Sequence, residues 1–319
     1  MPDLPWLWLV AMALWAEFFL RWPAQIPHPV IAIGRLIGSM EKRWNLNPVP
    51  DNRKRLLGIV TLAIVVAVAA SAGFLIELAA AFQAASAALY ISAAFGVLGL
   101  AAGSLYQHVQ AVYRPLESGD IDSARHSVSM IVGRDTADMA VTDVAAAALE
   151  SLAESFNDGV VAPVFWFCIG GLPALFAYKA INTADSMIGH MEPRFRAFGW
   201  AAAKTDDLVN WVPARIAGLL IVLAGACRGA GPQAFKAMTQ DACKHASPNA
   251  GWTEASIAGA LGVRLGGPVR YDGVVSQRPW FGSGPSPTAA DLGRGLRTYL
   301  MALVLLTLCL ITGGTLWLL

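Results

Sequence analysis

Residues 56–82 read LLGIVTLAIVVAVAASAGFLIELAAAF, and Glu77 is the one charged residue in this run. A helix needs about 20 consecutive apolar residues to cross the hydrocarbon core of a bilayer. The run is therefore long enough to predict a transmembrane helix, and it sets the fold class that the rest of the chain has to fit.

The composition of the whole chain agrees with a membrane protein. Of its 319 residues, 56% are hydrophobic and only 14% are charged, and the mean hydropathy is +0.52. Soluble domains carry about 25% charged residues. The net charge of +1 gives no indication of nucleic-acid binding. The four cysteines are scattered and predict neither a disulfide framework nor a metal site.

Other apolar stretches complete the predicted bundle. The predicted spans are residues 4–20, 56–82, 87–106 and 299–319, and the ambiguous stretches are 160–181 and 212–228. Gly170, Gly171 and Pro173 interrupt the first ambiguous stretch and favour a re-entrant hairpin. Arg215 interrupts the second. The prediction is an all-α, polytopic integral membrane bundle with re-entrant or short helices, forming a single domain over residues 1–319.

Basic residues predict which polar segments face the cytoplasm. The loop 21–55 carries seven Lys and Arg against two acids, and the segment 229–298 again carries seven. Both are therefore predicted to be cytoplasmic. For this to hold, either both ambiguous stretches cross the membrane or neither does. If neither crosses, the polar residues 182–211 also face the cytoplasm.

The run ESLAESFNDG, residues 150–159, places three carboxylates beside an apolar segment. Residues 138–156 are predicted to form a helix that ends at Asn157-Asp158-Gly159. Glu150 and Glu154 share a face of that helix, and Asp158 continues the line. Their mutual repulsion would be relieved by Mg²⁺, which prefers one or two carboxylates plus substrate phosphates. The alternative is a solvated helix face.

Two more polar runs follow, YKAINTADSMIGH at 178–190 and AKTDDLVNWVPAR at 203–215. Their polar residues, with the basic pair between them, are Lys179, Asn182, Asp185, Arg194, Arg196, Asp206, Asp207, Asn210 and Arg215. Acids that bind a metal and bases that bind phosphate are typical of phosphoryl transfer with Mg-ATP. The chain has no P-loop and no kinase signature, so such a nucleotide site would be unorthodox. The structural alternatives are that Lys179 extends along apolar surface to reach water, that Asn182 caps a helix, and that the acids stand at a helix start, where negative charge is favourable.

Two Gly- and Pro-rich runs remain. In PHPVIAIGR, residues 27–35, His28 is either an acid–base group or an ordinary turn residue. In SPNAGWTEASIAGALGVRLGGPVRYDG, residues 247–273, the glycines allow either close approach to a ligand or tight helix packing. Glu254 and Arg264 are its polar members.

These runs, together with VGRDT at 132–136 and FGWAAAKTDDLVNWVPAR at 198–215, resemble the CbiB/CobD family of cobalamin biosynthesis, the cobinamide (phosphate) synthases. The resemblance covers about residues 17–275, in the family's order. It implies an ATP-dependent ligase that joins adenosylcobyric acid to (R)-1-amino-2-propanol or its O-phosphate through an amide bond. ATP and Mg²⁺ are then required, the corrinoid is a substrate, and the site faces the cytoplasm.

The resemblance also implies roles for the polar residues. Glu150, Glu154 and Asp158 hold Mg²⁺ or the activated carboxylate, and Asp185, Asp206 and Asp207 are alternative metal ligands or the base. The phosphate-binding residues are then Lys179, Arg194, Arg196 and Arg215. The residues implied to contact the corrinoid, the amino alcohol or a phosphate are His28, Arg35, Asn182, Asn210, Asn249 and Glu254.

One segment departs from the family pattern, and other functions stay open. The family usually has an Asp and a Gly-Asp-Pro before PHP, where this chain has Glu17 and Arg21-Trp22-Pro23. An AmpE-like membrane regulator is the main alternative, and a transporter is another. The expected location is the cell inner membrane, as a multi-pass protein. Expected partners are the small substrates and lipid, with a homo-oligomer or a complex with later cobalamin-assembly enzymes left open.

Overall fold

The computed structural model describes residues 6–20, 22, 27–271 and 274–318. The α-helices in chain order are α1 (Trp6–Leu20), α2 (Val30–Trp44), α3 (Asp51–Ala80), α4 (Ala85–Gly96), α5 (Ala102–Ser118), α6 (Ile121–Ser129), α7 (Val141–Phe156), α8 (Ala162–Ile188), α9 (Trp200–Val209), α10 (Trp211–Ala226), α11 (Gly231–Asp241), α12 (Ala250–Leu261) and α13 (Ala289–Leu318). The strands are β1 (Leu265–Gly266), β2 (Val269–Tyr271), β3 (Val274–Ser276) and β4 (Trp280–Phe281). Residues 4–5, 319, Arg21, Pro23 and 272–273, which belong to predicted features, lie outside the described residues.

Within the described residues, four helical stretches are long and apolar enough to cross a membrane. They are Asp51–Ala80, Ala85–Ser118, Val141–Ile188 and Ala289–Leu316, and α9 with α10 adds a fifth if the two count as one span. The described part of the predicted first span is α1, which has 15 residues. The all-α membrane bundle is therefore confirmed. The number of true spans, their orientation and the single-domain organisation stay predictions.

The chain forms two compact units. The α3–α8 unit comprises the described parts of Met1–Leu100, Ala162–Asn210 and Leu310–Leu319. The α7–α12 unit comprises Ala101–Val161 and Trp211–Cys309, as far as they are described.

The α3–α8 unit is built on close packing of its two longest helices. Gly73 on α3 meets the backbone of Leu172 on α8, and a Cβ at Gly73 would lie 2.6 Å from the Leu172 carbonyl carbon. Small residues let membrane helices approach this closely. A buried apolar cluster between the same two helices includes Leu62, Val65 and Ala180.

Helix α8 is broken at two glycines within the stretch predicted as a re-entrant hairpin. Gly170 and Gly171 have non-helical backbone angles, and Gly171 (φ 59°, ψ −152°) adopts a conformation that favours glycine. The helix resumes at Leu172, whose backbone N–H donates to Oε1 of Glu77 at 2.8 Å. The predicted interruption therefore lies at these glycines, and the helix continues beyond it to Ile188.

Helix α7 ends at Phe156, as predicted, but no loop follows at Asn157-Asp158-Gly159. Residues Asn157–Val161 form a π-helical turn, and α8 follows directly. The Gly159 carbonyl accepts a hydrogen bond from the Ala101 backbone N–H at 2.9 Å. This long-range partner satisfies a backbone group within the widened turn, which a local stop signal does not predict.

The α7–α12 unit surrounds a nearly buried helix. Ten of the twelve residues of α12 are buried, and α12 packs against α7, α10 and α11. Two short antiparallel pairs follow it, β1 with β4 and β2 with β3. Trp280 and Phe281 lie in the Gly- and Pro-rich segment 279–287, whose composition is typical of a loop, yet they pair with Gly266 and Leu265.

Candidate active site

The first predicted carboxylate, Glu150, is the centre of a buried ionic contact. It lies on α7 in the α7–α12 unit and is 3% exposed. Its Oε2 accepts from Arg134 at 2.6 Å and from Arg278 at 3.1 Å, while Oε1 accepts the Gly266 backbone N–H at 2.9 Å. Two guanidinium groups therefore compensate the charge of one buried carboxylate.

Arg278 connects Glu150 to a second buried carboxylate. Its Nη2 donates to Oε2 of Glu254 at 3.4 Å, and Glu254 is 1% exposed on α12. His245 completes the group, with its Nε2 lying 3.4 Å from Oε1 of Glu254. We call Arg134, Glu150, Arg278, Glu254 and His245 the ionic network.

His245 has a fixed ring orientation. The Ser247 backbone N–H donates to its Nδ1 at 2.8 Å, which assigns the proton of the neutral ring to Nε2, the atom facing Glu254. Burial lowers the pKa of His245, but the hydrogen bond and negative charge of Glu254 outweigh burial and raise the pKa above its ordinary value. The imidazolium form is therefore stabilised beside Glu254.

Glu154 differs from its two buried neighbours because its side chain is exposed. It interacts electrostatically with Glu254, Asp158, His245 and Arg278. Asp158 is half-buried and accepts from Nδ2 of Asn157 at 2.8 Å. Glu154 is thus the most exposed carboxylate of the ESLAESFNDG run, although many protein atoms surround it.

The structure indicates which carboxylates fit a Mg²⁺ ion. No group of three or more His, Cys, Asp or Glu among the described residues forms a metal site. Mg²⁺ often takes only one or two carboxylates and completes its shell with water and substrate oxygens. The accessible Glu154 with Asp158 fits that pattern better than Glu150, whose oxygens already accept three N–H groups. The magnesium role of Glu150, Glu154, Asp158 and Asp206 stays a prediction.

A cavity of about 730 Å³ adjoins the network. Arg134, Asp135 and Thr136 of the VGRDT run line it together with Glu150 and Arg270. This volume lies in the usual range for small-molecule sites.

Arg215 and Asn249 also meet in the α7–α12 unit. Arg215 donates to Oδ1 of Asn249 at 3.0 Å and to the Trp211 carbonyl at 2.7 Å. Its guanidinium lies 4.3 Å from the ring of Trp211 and 4.6 Å from that of Trp252. Cation–π contacts and a buried amide therefore hold the predicted phosphate-binding Arg215 in a fixed orientation.

In the α3–α8 unit, Asp206 lies between two side-chain amides. Its Oδ2 accepts from Asn210 at 3.0 Å and its Oδ1 from Asn182 at 3.4 Å. The Tyr178 hydroxyl donates to Oδ1 of Asn210 at 3.0 Å. We call these four residues the amide cluster. It joins the 178–190 run to the 203–215 run, as their shared polar character suggested.

Two further predicted acids and a predicted lysine also lie in the α3–α8 unit. Asp207 pairs with Lys204 at 3.2 Å, and Asp185 is half-buried on α8. Lys179 lines a cavity of about 400 Å³ whose other lining residues are apolar or proline. Whether these residues contact a substrate stays a prediction.

The remaining predicted residues of this unit lie apart from the amide cluster. Arg194 forms a bidentate pair with Glu41, with Nη2–O distances of 2.8 and 3.0 Å. Arg35 and Arg196 are exposed. Burial and then the positive charge of Lys179 lower the pKa of His28, so this histidine is neutral near pH 7.

Sequence reasoning missed three residues of the ionic network. Arg134 is in the VGRDT run, to which the sequence assigned no role, and His245 lies two residues before the SPNAGW run. Arg278 is in SQRPW, which carries no recognisable signal. Only the tertiary contacts bring these cations to Glu150 and Glu254.

Comparisons with known proteins agree with this arrangement of motifs. Residues 10–299 match the family described as CobD/Cbib protein. The chain is 44% identical over 324 residues to the cobalamin biosynthesis protein CobD of Rhodobacter capsulatus, covering 97% of this chain and 98% of the relative. The proteins of the same name from Brucella anthropi and Geobacter metallireducens are 46% and 41% identical, covering 82% and 90% of each chain respectively. No solved structure gives a significant match. The chain therefore belongs to the CobD/Cbib family of cobalamin biosynthesis.

Proposed function

We propose that this protein is an ATP-dependent amide ligase that joins adenosylcobyric acid to (R)-1-amino-2-propanol or its O-phosphate. One observation carries the proposal: three sequence runs that resemble the synthase family converge in one ionic network. Arg134 comes from 132–136, Glu150 from 150–166 and Glu254 from 247–273. Charged residues from distant runs converge in this way where a fold builds a polar site.

The reaction requires the corrinoid carboxylate to be activated. A carboxylate oxygen attacks the γ-phosphorus of ATP and ADP leaves, which gives a carboxyl phosphate. The amine nitrogen then attacks the acyl carbon, the C–N bond forms and phosphate leaves. The amine enters as an ammonium ion and must lose a proton before it attacks.

The residues of the α7–α12 unit suit these steps. Glu154, as the accessible carboxylate, accepts the proton from the ammonium or holds a bound cation. Arg134 lies in the wall of the 730 Å³ cavity, where a guanidinium stabilises phosphate oxygens. Mg²⁺ held by Glu154 and Asp158 would neutralise charge on the phosphates. Glu150 and Glu254 orient the cations, because their own oxygens are engaged by Arg278.

Mass spectrometry of a reconstituted reaction tests the function. Purified protein in liposomes receives adenosylcobyric acid, Mg-ATP and either aminopropanol or aminopropanol phosphate. We expect an ATP-dependent product with the mass of the amide, and the preferred amine identifies the substrate. Folded protein that makes no product with either amine would contradict the ligase proposal and favour the AmpE-like regulator.

The variant Glu154→Gln tests the site. We expect it to lose product formation by at least about 100-fold, as for the loss of a general base, while its abundance stays unchanged. Glu192→Gln is the matched control, because Glu192 is also exposed but lies outside the ionic network. Full activity in Glu154→Gln would remove this carboxylate from the reaction, and loss of folded protein would assign it a structural role.

We also propose an inner-membrane location with the α11–α12 region in the cytoplasm, supported by the seven Lys and Arg of 229–298. Cys243 is exposed in this segment. In a variant that retains only this cysteine, a membrane-impermeant maleimide should label Cys243 in inside-out vesicles and not in intact cells. The opposite labelling pattern would reverse the orientation.

A further inference from the structure

A second polar cavity, of about 510 Å³, lies in the α7–α12 unit and is lined by residues other than those of the ionic network. One wall is the polar face of α11 and the turn that follows it. The other wall is formed by α12, Trp280 and the loop 282–284. None of the roles proposed above uses this cavity.

The α11 wall is a row of hydrogen-bond donors. Gln233, Lys236, Gln240 and Lys244 all line the cavity and follow one another at spacings of three or four residues. That spacing places successive side chains about one helical turn apart on the same face. The opposite face of α11 is buried through Ala234 and Met238. The packing of α11 therefore fixes this row toward the cavity.

Asp241 is the one carboxylate that lines the cavity in the described chain, and its charge is compensated. Asp241 is 9% exposed, with Oδ1 accepting from Nζ of Lys244 at 2.6 Å and Oδ2 accepting the Gly282 backbone N–H at 2.8 Å. It ties the loop after β4 to the end of α11. Lys236 forms no ion pair with any described residue, so the cavity retains a net positive charge.

The facing wall is rich in glycine and also includes the side chain of Trp280. Gly259, Gly262, Gly282 and Gly284 line it. Gly282 has φ 73°, and a Cβ there would lie 2.4 Å from the Val263 carbonyl oxygen. Gly282 therefore lets the loop after β4 pack closely against Val263, whereas the Cβ position of Gly262 (φ 67°) meets no heavy atom within 4 Å and is open.

We propose that this cavity binds the phosphate group of a phosphorylated cosubstrate. Lysine ammonium and glutamine amide groups opposite a glycine wall offer N–H donors and positive charge to phosphate oxygens. The source of the phosphate rests on the proposed function, which offers a nucleotide or an amino-alcohol phosphate. The cavity adjoins the ionic network, because Lys244 precedes His245 and the ring of Phe281 lies 5.7 Å from that of His245.

Binding measurements on the full chain in detergent test the proposal. Calorimetry would use three probes: a non-hydrolysable ATP analogue, aminopropanol phosphate and inorganic phosphate. We expect Lys236→Glu to weaken binding of at least one phosphorylated probe by 10-fold or more, and Lys236→Arg to retain binding. The probe whose affinity falls most identifies which cosubstrate carries the phosphate group that the cavity binds. Lys42→Glu is the matched control, since Lys42 is an exposed lysine on α2.

Two outcomes would overturn the proposal: none of the three probes binds the unchanged protein, or Lys236→Glu binds all of them with unchanged affinity. Thermal unfolding of each variant excludes loss of fold as the cause. The amide assay separates this proposal from the proposed function. Product formation with unchanged binding in Lys236→Glu rejects the phosphate site alone. Weakened binding without any amide product from the unchanged protein rejects the ligase alone.

Discussion

The ionic network and the amide cluster hold carboxylates in opposite ways. In the network, Glu150 and Glu254 are almost fully buried and share the guanidinium of Arg278. In the amide cluster, Asp206 is only half-buried and accepts from the neutral side chains of Asn182 and Asn210. In the first arrangement buried opposite charges compensate one another, and in the second a half-buried carboxylate accepts from two side-chain amides.

The difference predicts which region tolerates a change of charge. Removing one partner of a buried ion pair leaves an uncompensated charge in a poorly solvated place. Changing a half-buried carboxylate that accepts from side-chain amides alters hydrogen bonds in a place that water still reaches. Substitutions of carboxylates should therefore have larger effects in the ionic network than in the amide cluster.

The largest effect is expected for Arg278→Ala. The change leaves Glu254 with His245 as its cationic partner and Glu150 with Arg134 alone. We expect the free energy of unfolding to fall by about 3–5 kcal/mol, as for other broken buried pairs. Equilibrium unfolding in mixed micelles measures it, with Arg228→Ala, an exposed arginine outside the network, as the control. A loss equal to that of the control would show that Arg278 does not compensate these charges.

Gly171→Ala tests the α3–α8 unit where its backbone is most constrained. The residue has φ 59°, and a Cβ would lie 2.3 Å from Oε1 of Glu77. We expect a loss of about 2 kcal/mol from backbone strain and from displacement of that carboxylate. The same unfolding measurement applies, with Gly133→Ala as control, because a Cβ at Gly133 meets no heavy atom within 4 Å. Equal free energies of unfolding for the two variants would contradict the constrained backbone described for Gly171.

A smaller effect is expected for Asp206→Asn. The new side chain keeps one carbonyl acceptor for Asn182 or Asn210, and the position is only half-buried. We expect the free energy of unfolding to change by about 1 kcal/mol. If the loss approaches that of Arg278→Ala, the contrast between the two regions is wrong. Loss of amide product from the stable variant would give Asp206 a role in the reaction.

The smallest effect is a pH dependence that arises from His245. Its pKa is raised above 6.5, so its contribution to stability is fully present below that value and is lost as the pH rises through the raised pKa. The groups around the ring are Glu254, Arg278, Glu154 and Phe281. The free energy of unfolding should therefore decline with rising pH more steeply in the unchanged protein than in His245→Gln. Parallel pH profiles would contradict the raised pKa.

Local sequence signals predicted the membrane class and several features of the bundle. The apolar run 56–82 predicted most of α3, and Gly170 with Gly171 predicted the interruption in α8. The predicted end of α7 at Phe156 is confirmed, but a π-helical turn follows it, in which the Gly159 carbonyl accepts from the Ala101 N–H, a partner far away in sequence. Hydropathy and turn residues report local preference and cannot anticipate such a contact.

The candidate site was predictable only where its residues cluster along the chain. Glu150 and Glu154 stand one turn apart, and Asp206 and Asn210 do the same, so each pair was visible in the sequence. Arg278 lies 128 residues from Glu150 and in no patterned segment. A lone arginine in a loop is usually a solvated surface residue, and only the packing of the strands against α7 and α12 reveals its role.

The hydrogen bond from Leu172 to Glu77 has a mechanical consequence for the α3–α8 unit. The bond is 2.8 Å long and joins Leu172, the first helical residue of α8 after its break, to a side chain of α3. The backbone of Leu172 also packs closely against Gly73 of α3. A slip of α3 by a single residue would move the carboxylate by about 1.5 Å along the helix axis and bring a side chain against that backbone. The hydrogen bond and the close backbone contact therefore fix the register of α3 against α8 and oppose sliding of the two helices.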